Sequence, residues 1–261
     1  TLRPWGRPAD ETGRNGTGAY APPPVRCKLH SAAMKPLVLL ACTLALAPCA
    51  AWTSPVPVIF DTDMGNDVDD ALALAVLHAL ESRGECRLIA VTVTKDNRWS
   101  APYVDLVNTF YGRAHIPVGV VKGSGITPKD SAMIQAPAER KRSDGRLVYP
   151  RRLASGEEAP DAVPLLRRVL AAEPDASVVI VQVGFSTNLA RLLDSAPDSH
   201  SPLPGRELAA RKVKLLSIMA GNFADGTPEY NVQEDVPSAQ KLLAGWPTRI
   251  VASGFEIGRA L

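Results

Sequence analysis

The stretch Val58–Asp70, VIFDTDMGNDVDD, decides how this chain folds. It continues the apolar run Val56–Phe60 and leads directly into the apolar helical pattern ALALAVLHAL at residues 71–80. The pattern predicts a buried strand, an acidic turn and a helix. The strand end and the turn carry five carboxylates: Asp61, Asp63, Asp67, Asp69 and Asp70.

Five acids this close together repel one another. At about 4 Å and an effective dielectric constant of about 20, one like-charge pair costs roughly 4 kcal/mol. Solvation, protonation or a bound cation would relieve the repulsion. Because the turn lies between two apolar segments, we expect it close to the core. A set of oxygen ligands suits a hard cation, calcium (Ca2+) before magnesium, whereas zinc would want His or Cys nearby.

The spacing of the acids adds a second argument. Asp61 and Asp63 are two residues apart, so on an extended chain their side chains point the same way. Gly65 permits a sharp turn. Either Asp67 or Asp69 can cap the helix that follows, and acids in its first turn suit the helix dipole. Capping accounts for one or two of the five acids and leaves the others without a structural purpose.

Strand-like and helix-like patterns alternate along the rest of the chain. Apolar β-rich runs occupy Val56–Phe60, Leu88–Thr94, Pro117–Val121, Ser177–Val183, Val213–Met219 and Thr248–Ala252. Helical patterns occupy Asp70–Ser82, Ala101–Arg113, Asp161–Ala172, Ser186–Ser195 and Val236–Ala244. This order predicts an α/β fold: a doubly wound, mostly parallel sheet with helices on both faces and a Rossmann-like core. The long polar segment 122–159 is predicted to be a loop whose basic residues form a solvated face.

Polar residues follow several of the predicted strands. In an open α/β sheet, ligands bind beyond the carboxyl ends of the strands. Asn97, Asn188, Asn222 and Glu256 each stand at such an end, together with the Asp cluster, so a shared site is expected. Structural roles remain open for some of them, since Asn97 suits a turn, Asn188 a helix start, and Glu229–Asn231 a solvated loop.

Composition excludes some functions. The 261 residues carry a net charge of +2 and are 46% hydrophobic, which suffices for a sizeable core. This balance gives no electrostatic argument for binding nucleic acid or an anionic membrane. Cys86 is the only cysteine after residue 51, so neither a disulfide framework nor a cysteine metal site is expected.

The first 51 residues differ in character from the rest. Residues 1–33 are rich in Gly, Pro, Arg and Thr, which predicts a disordered leader that need not be part of the protein. Residues 34–51 have the layout of a secretory signal peptide: a basic start, an apolar stretch too short for a comfortable membrane span, and small residues near Ala51. We therefore expect an exported protein, periplasmic or extracellular and without a membrane anchor after cleavage, whose domain occupies 52–261.

At the Asp cluster the sequence resembles the inosine/uridine-preferring nucleoside hydrolase family. The family carries a strand that runs into Asp-x-Asp-x-Gly, then Asp-Asp and a helix. Here this motif is Asp61–Gly65 followed by Asp69-Asp70, two residues longer than the best-known form, with Asp67 in the insertion. Further family segments are matched in order, by Asn97, Gly184–Ala190, Met219–Gly221 and Glu229–Asn231.

The resemblance implies hydrolysis of the N-glycosidic bond of ribonucleosides to ribose and free base. It implies that Asp63, Asp70 and the Val183 carbonyl bind calcium, and that a calcium-bound water attacks while Asp63 takes its proton. The implied ribose ligands are Asp69, Asn97, Asn222, Glu229 and Asn231.

Three acids, Asp61, Asp67 and Glu256, inherit no certain role from the family. We expect Asp67 to be a cap or a supporting acid. The family continues beyond the segment matched by Gly254–Gly258 and places a further metal-binding Asp close to its C-terminus, so a C-terminally incomplete, bacterial exported-type member is expected, with Glu256 as a substitute ligand otherwise. The expected partner is a small-molecule nucleoside, and a homo-oligomer remains open.

Two other functions compete with nucleoside hydrolysis. A phosphatase of the haloacid dehalogenase type also places Asp-x-Asp after its first strand, with the first Asp as nucleophile and magnesium as cofactor. The adjacent Asp69 and Asp70 at a helix start do not match that family, and no convincing lysine motif is present. The other alternative is a non-catalytic nucleoside- or ribose-binding protein.

Overall fold

The apolar runs form one six-stranded sheet in the computed structural model, which describes residues 54–126 and 132–260. The strands are β1 (Val56–Thr62), β2 (Cys86–Val93), β3 (Val118–Val120), β4 (Val178–Gln182), β5 (Val213–Met219) and β6 (Arg249–Ser253). All neighbouring strands pair in parallel, in the order β3-β2-β1-β4-β5-β6. The order reverses between β1 and β4, and such a reversal creates a crevice beyond the strand ends.

Nine helices occur within the described ranges. They are α1 (Asp69–Ser82), α2 (Ser100–Phe110), α3 (Ala132–Glu139), α4 (Ala162–Ala172), α5 (Thr187–Asp194), α6 (Gly205–Lys212), α7 (Tyr230–Glu234), α8 (Val236–Gly245) and α9 (Phe255–Arg259). The five predicted helices are confirmed with ends shifted by at most three residues. The other four were not predicted. Helix α3 is short and lies within the polar segment 122–159, helix α6 is short and polar, and α7 and α9 have only five residues each.

Helices cover both faces of the sheet, as predicted. Phe60 of β1 belongs to one buried cluster, to which α1, α2 and α3 contribute Leu74, Val104 and Ile134. The next residue back, Ile59, belongs to the opposite cluster, to which α4, α5, α6 and α8 contribute Leu166, Leu189, Leu208 and Leu242. Alternate residues of the central strand therefore face two separate cores, which explains its unbroken apolar sequence.

The described part of the segment 122–159 contains more regular structure than predicted. The prediction of a loop is wrong over α3, and a 3₁₀ turn forms at Gly156–Glu158. Arg152 does not lie on a purely solvated face, since its guanidinium Nη2 donates to Oδ1 of the fully buried Asp105 at 2.7 Å. The other Asp105 oxygen accepts the backbone N–H groups of Arg152 and Leu153. One buried carboxylate of α2 thus anchors this segment to the fold.

The predicted leader 1–33 and signal peptide 34–51 lie outside the described residues, so both stay predictions. Within residues 54–126 and 132–260, no helix combines the length and the apolar character that crossing a bilayer requires.

Candidate active site

A cavity of about 230 Å³ lies at the carboxyl ends of β1, β4 and β5, beside the point where the strand order reverses. This is where an α/β sheet of this topology is expected to bind ligands. Seven of the eleven residues predicted for the site line it: Asp63, Asp67, Asp69, Asp70, Val183, Glu229 and Asn231. These residues come from segments up to 168 positions apart in the chain (63 to 231), and the fold brings them to one edge of the sheet.

The turn between β1 and α1 has the predicted sharp geometry. Gly65 adopts φ +121°, a conformation that residues with a side chain rarely adopt. A Cβ atom at this position would lie 2.6 Å from Cδ1 of Ile134 in α3. The helix that the sequence analysis missed therefore packs directly against the acidic turn and holds it close to the core.

Asp63 and Asp70 are the two buried aspartates that line the cavity. Each is only 4% exposed, and their carboxyl groups share a hydrogen bond. Burial raises the pKa of Asp63 to about 7, and the positive charge of Lys95 opposes that rise. Burial, with the charge of Asp63 next in importance, raises the pKa of Asp70 well above its ordinary range. Two carboxyls in contact cannot both stay ionised without a compensating positive charge.

Asp67 and Asp69 form the exposed part of the cluster. Carboxylate oxygens of Asp67, Asp69 and Asp70 all lie within 4.8 Å of one another. The hydrogen bond between Asp67 and Asp69, together with partial burial, raises the pKa of Asp67 to about 6. Asp69 accepts the backbone N–H of Asp70 at 2.8 Å. Val68 occupies the N-cap position of α1, so the prediction that an aspartate holds that position is wrong.

The donor set fits a hard divalent cation. All the ligand atoms on this turn are oxygens, which calcium and magnesium prefer. The carboxyl groups of Asp63 and Asp70 contact each other, so both could bind the same cation. Asp70 belongs both to this pair and to the group of three, so it is the central carboxylate of the cluster.

The opposite wall of the cavity is built around Asn231 of α7. Its side-chain amide donates to the Val183 carbonyl at 2.8 Å and to the Met219 carbonyl at 3.4 Å. These two carbonyls stand at the ends of β4 and β5, so Asn231 ties α7 to both strands. A carbonyl oxygen accepts two bonds, and Val183 therefore retains capacity for a second partner.

Glu229 holds the start of α7 in place. Its carboxylate accepts the backbone N–H groups of Asn231 at 2.7 Å, Val232 at 3.2 Å and Gly221 at 3.1 Å. Glu229 and Asn231 are only 7% and 9% exposed, so the alternative that they belong to a solvated loop is wrong. The carboxylate caps α7 and at the same time borders the cavity.

Asn97 has a structural task in this fold. Its Oδ1 accepts the backbone N–H of Trp99 at 2.7 Å and of Ser100 at 3.2 Å, at the start of α2. The side chain is 4% exposed and is not among the residues that line the cavity. The Oδ1 atom of Asn97 therefore has the turn role that the sequence left open. The predicted contact of Asn97 with ribose stays a prediction.

Asn222 and Glu256 also lie outside the lining of the cavity. Asn222 donates to Asp225 at 2.8 Å within an exposed turn. Glu256 accepts the backbone N–H of Phe223 at 3.1 Å. Both side chains therefore organise the segment between β5 and β6, and their predicted contacts with ribose or a cation remain untested.

Asp61 is fully buried beneath the cavity. Its Oδ1 accepts from the Thr92 hydroxyl at 2.5 Å and from the Asn188 amide at 2.9 Å, while Oδ2 has no partner among the described residues. Burial raises the pKa of Asp61 to about 7. A phosphatase nucleophile must reach its substrate, and this carboxyl does not. The expectation that Asn188 caps its helix is also wrong, because its side chain bonds to Asp61 instead.

Sequence reasoning missed four residues at the site. Asn66 donates to Oδ2 of Asp63 and accepts from Nζ of Lys95 at 2.7 Å. Tyr230 and Phe255 border the cavity with rings that are 44% and 46% exposed. Lys95 could have been identified as a lysine just after an apolar strand. Tyr230 and Phe255 could have been identified as the aromatic residues of the matched segments Glu229–Asn231 and Gly254–Gly258.

The sequence matches the model of the inosine-uridine preferring nucleoside hydrolase family over residues 58–257. The chain belongs to this family. It is 32% identical over 213 residues to the pyrimidine-specific ribonucleoside hydrolase RihA of Citrobacter koseri, an alignment that covers 77% of this chain and 60% of that protein. The RihA protein of Enterobacter sp. (strain 638) matches with the same identity and coverage. The chain thus spans about 60% of the length of these relatives.

Solved structures show the same fold. A purine-preferring ribonucleoside hydrolase from Gardnerella vaginalis superposes with a TM-score of 0.52 at 22% identity, over 77% of this chain and 61% of that one. The type III effector protein XopQ, solved with adenosine diphosphate ribose, superposes with a TM-score of 0.54 at 21% identity, over 77% and 57% of the two chains. At these identities the likeness establishes the α/β architecture alone.

Proposed function

We propose that this protein hydrolyses the N-glycosidic bond of ribonucleosides, releasing ribose and the free base. One observation carries the proposal: the family's Asp motif places two carboxyls, Asp63 and Asp70, in buried contact at the cavity beside the switch point of the sheet. Two curated relatives are named as pyrimidine-specific and one solved relative as purine-preferring, so the proposed substrate class is the ribonucleoside without a stated base.

Calcium is the cation we propose for this site, held by Asp63, Asp70 and the Val183 carbonyl. When bound, it would supply positive charge beside the attacking water and so reduce the cost of removing a proton from that water. Magnesium fits the same donor types, but it demands a stricter octahedral geometry than calcium does.

Asp63 acts as the general base in this proposal. A base must lie within hydrogen-bond reach of the proton it removes. Asp63 borders the cavity, and Asn66 donates to its Oδ2, which fixes the orientation of the carboxylate. The burial that raises its pKa to about 7 also favours the neutral form that exists after proton transfer.

The other polar residues of the cavity suit the sugar. Ribose presents several hydroxyls close together, so binding it requires many acceptors and amides. Asp69, Glu229 and Asn231 border the cavity on two sides, and we propose that they hold these hydroxyls. Departure of the base leaves positive charge on the sugar, which adjacent carboxylates stabilise electrostatically.

Asp63→Asn tests the proposal. We expect it to lower kcat for uridine or inosine by about 10²- to 10⁴-fold, because the amide cannot accept the proton. Calcium binding should weaken, while circular dichroism and the unfolding midpoint without calcium should show a folded protein. Ribose release, followed by a reducing-sugar assay at saturating calcium, is the measurement.

Asp144→Asn is the matched control, because Asp144 lies in an exposed turn outside the cavity. It should leave kcat and calcium affinity unchanged. Turnover that survives Asp63→Asn would contradict the mechanism. A wild-type protein that binds nucleoside in equilibrium dialysis but releases no ribose would favour the non-catalytic binding alternative.

We also propose export of the protein, on the basis of the signal-peptide layout of residues 34–51. The intact mass of the native protein in the exported fraction tests it. A mature N-terminus near residue 52 supports export, and an uncleaved protein found in the cytoplasm alone contradicts it.

A further inference from the structure

Lys95 is a charged residue in an unusual place. It stands two residues beyond the end of β2 and is only 1% exposed, among the largest fully buried side chains of the described residues. Burying an ammonium group costs several kcal/mol unless nearby groups compensate its charge. Such a residue needs a partner, and the fold places it beside the acid cluster rather than on the surface.

Lys95 reaches the acid cluster through Asn66. Its Nζ donates to Oδ1 of Asn66 at 2.7 Å. The amide group of the same Asn66 donates to Oδ2 of Asp63. Because one end of the amide accepts from an ammonium, the other end must present its N–H₂ donor, so Lys95 fixes which way Asn66 faces.

We propose that Lys95 is a positioning residue that aligns Asp63 through Asn66 and also supplies a built-in positive charge that moderates cation binding at the acid cluster. The inference rests on the proposed role of Asp63 as general base. The two hydrogen bonds through the single Asn66 amide place the Lys95 ammonium close to the Asp63 carboxyl.

The proposal predicts two effects of opposite sign. Replacing Lys95 by Met removes a positive charge beside a cation site, so calcium should bind more tightly, by about tenfold or more. The same change leaves Asn66 free to turn, so Asp63 loses its alignment. A small misplacement of a catalytic group costs about tenfold to a hundredfold in kcat, whereas KM should change little. A lysine that only stabilises the fold would not tighten calcium binding.

The experiment compares three variants with the wild type: Lys95→Met, Asn66→Ala and Lys122→Met. Lys122 is a matched control because it also follows a strand, β3, but donates to the backbone carbonyls of Gly156 and Glu157. Calcium titration calorimetry without nucleoside gives the affinity. Ribose release from uridine at saturating calcium gives kcat and KM, and thermal unfolding without calcium shows that each variant is folded.

We expect tighter calcium binding with reduced kcat in Lys95→Met, reduced kcat without tighter binding in Asn66→Ala, and wild-type values in Lys122→Met. Unchanged or weaker calcium affinity in Lys95→Met would overturn the charge role, and an unchanged kcat would overturn the positioning role. If the wild type binds calcium but hydrolyses no nucleoside, the proposed function fails, while tighter binding in Lys95→Met still supports the charge role.

Discussion

The substitution Asp61→Asn tests how the buried acids affect folding. Asp61 is 0% exposed, and its Oδ1 accepts from Thr92 and Asn188. An asparagine has the same shape, and its carbonyl oxygen can accept both bonds. The amide nitrogen then takes the place of Oδ2, which has no partner among the described residues. The substitution therefore removes the ability to ionise and adds a buried N–H₂ donor, and the cost of that donor does not change with pH.

The magnitude follows from the pKa of Asp61, which burial raises from 3.8 to about 7. At about 1.4 kcal/mol per pKa unit, the shift corresponds to about 4 kcal/mol. The pKa of Asp61 is higher in the folded than in the unfolded protein. The wild type is therefore most stable below about pH 4, where Asp61 is protonated in both states, and it loses this contribution to stability as the pH rises through 7. We expect more than half of this loss of wild-type stability, to order of magnitude, between pH 5 and pH 8.

Urea unfolding of the calcium-free protein at pH 5 and pH 8 measures the effect. We expect the stability of Asp61→Asn relative to wild type to rise by about 2–3 kcal/mol between these pH values. Asp198→Asn is a suitable control, because the Arg167 guanidinium holds the pKa of Asp198 well below its usual range. Asp198 is ionised throughout this interval in both states, so its substitution should cost the same at both pH values.

A relative stability of Asp61→Asn that is equal at both pH values would refute the reasoning. It would mean that Asp61 is ionised in the folded protein at pH 5, with compensation of its charge that the described residues do not provide. A relative stability that falls towards pH 8 would refute it more strongly, since the sign of the linkage would then be opposite.

Two further substitutions test the fold around the site. Asp105→Ala should destabilise the protein by about 3 kcal/mol in urea unfolding at pH 7, because it removes a buried acceptor of hydrogen bonds from the half-exposed Arg152 guanidinium and from two backbone N–H groups; a loss below about 1 kcal/mol would contradict this. If the proposed function holds, Gly184→Ala should abolish ribose release, because a Cβ there would lie 2.6 Å from the Thr94 hydroxyl and closer still to backbone at the end of β1. Gly258→Ala, where nothing lies within 4 Å, should keep full activity.

The sheet was predictable because each strand contains an apolar run that is separated from the next by a helix or loop pattern. Val213–Met219 was predicted with both ends correct, and the alternation of strands with helices fixed the parallel topology. The acid cluster was predictable for a related reason. Its members lie within ten consecutive residues, so the local pattern of strand, turn and helix was enough to place them at one strand end.

The opposite wall of the site could not be predicted from local patterns, since its contacts join distant parts of the chain. Asn231 meets the Val183 carbonyl 48 residues earlier, and Asn188 meets Asp61 across 127 residues. Sequence patterns show that a polar residue ends a strand, but not which way its side chain turns. Asn97 illustrates the limit, because its oxygen turns back to the start of α2.

The energetics of the acid cluster support a functional origin for it. Burial raises the pKa of Asp61, Asp63 and Asp70, so each of them opposes folding at neutral pH when the protein binds no cation. Uncharged residues of similar size would be more stable at these positions. A cation that binds only the folded protein stabilises it by about 4 kcal/mol at a thousand times its Kd, a gain comparable to the cost of one such acid. The cost of these acids in the cation-free protein is therefore consistent with the cation site that we propose.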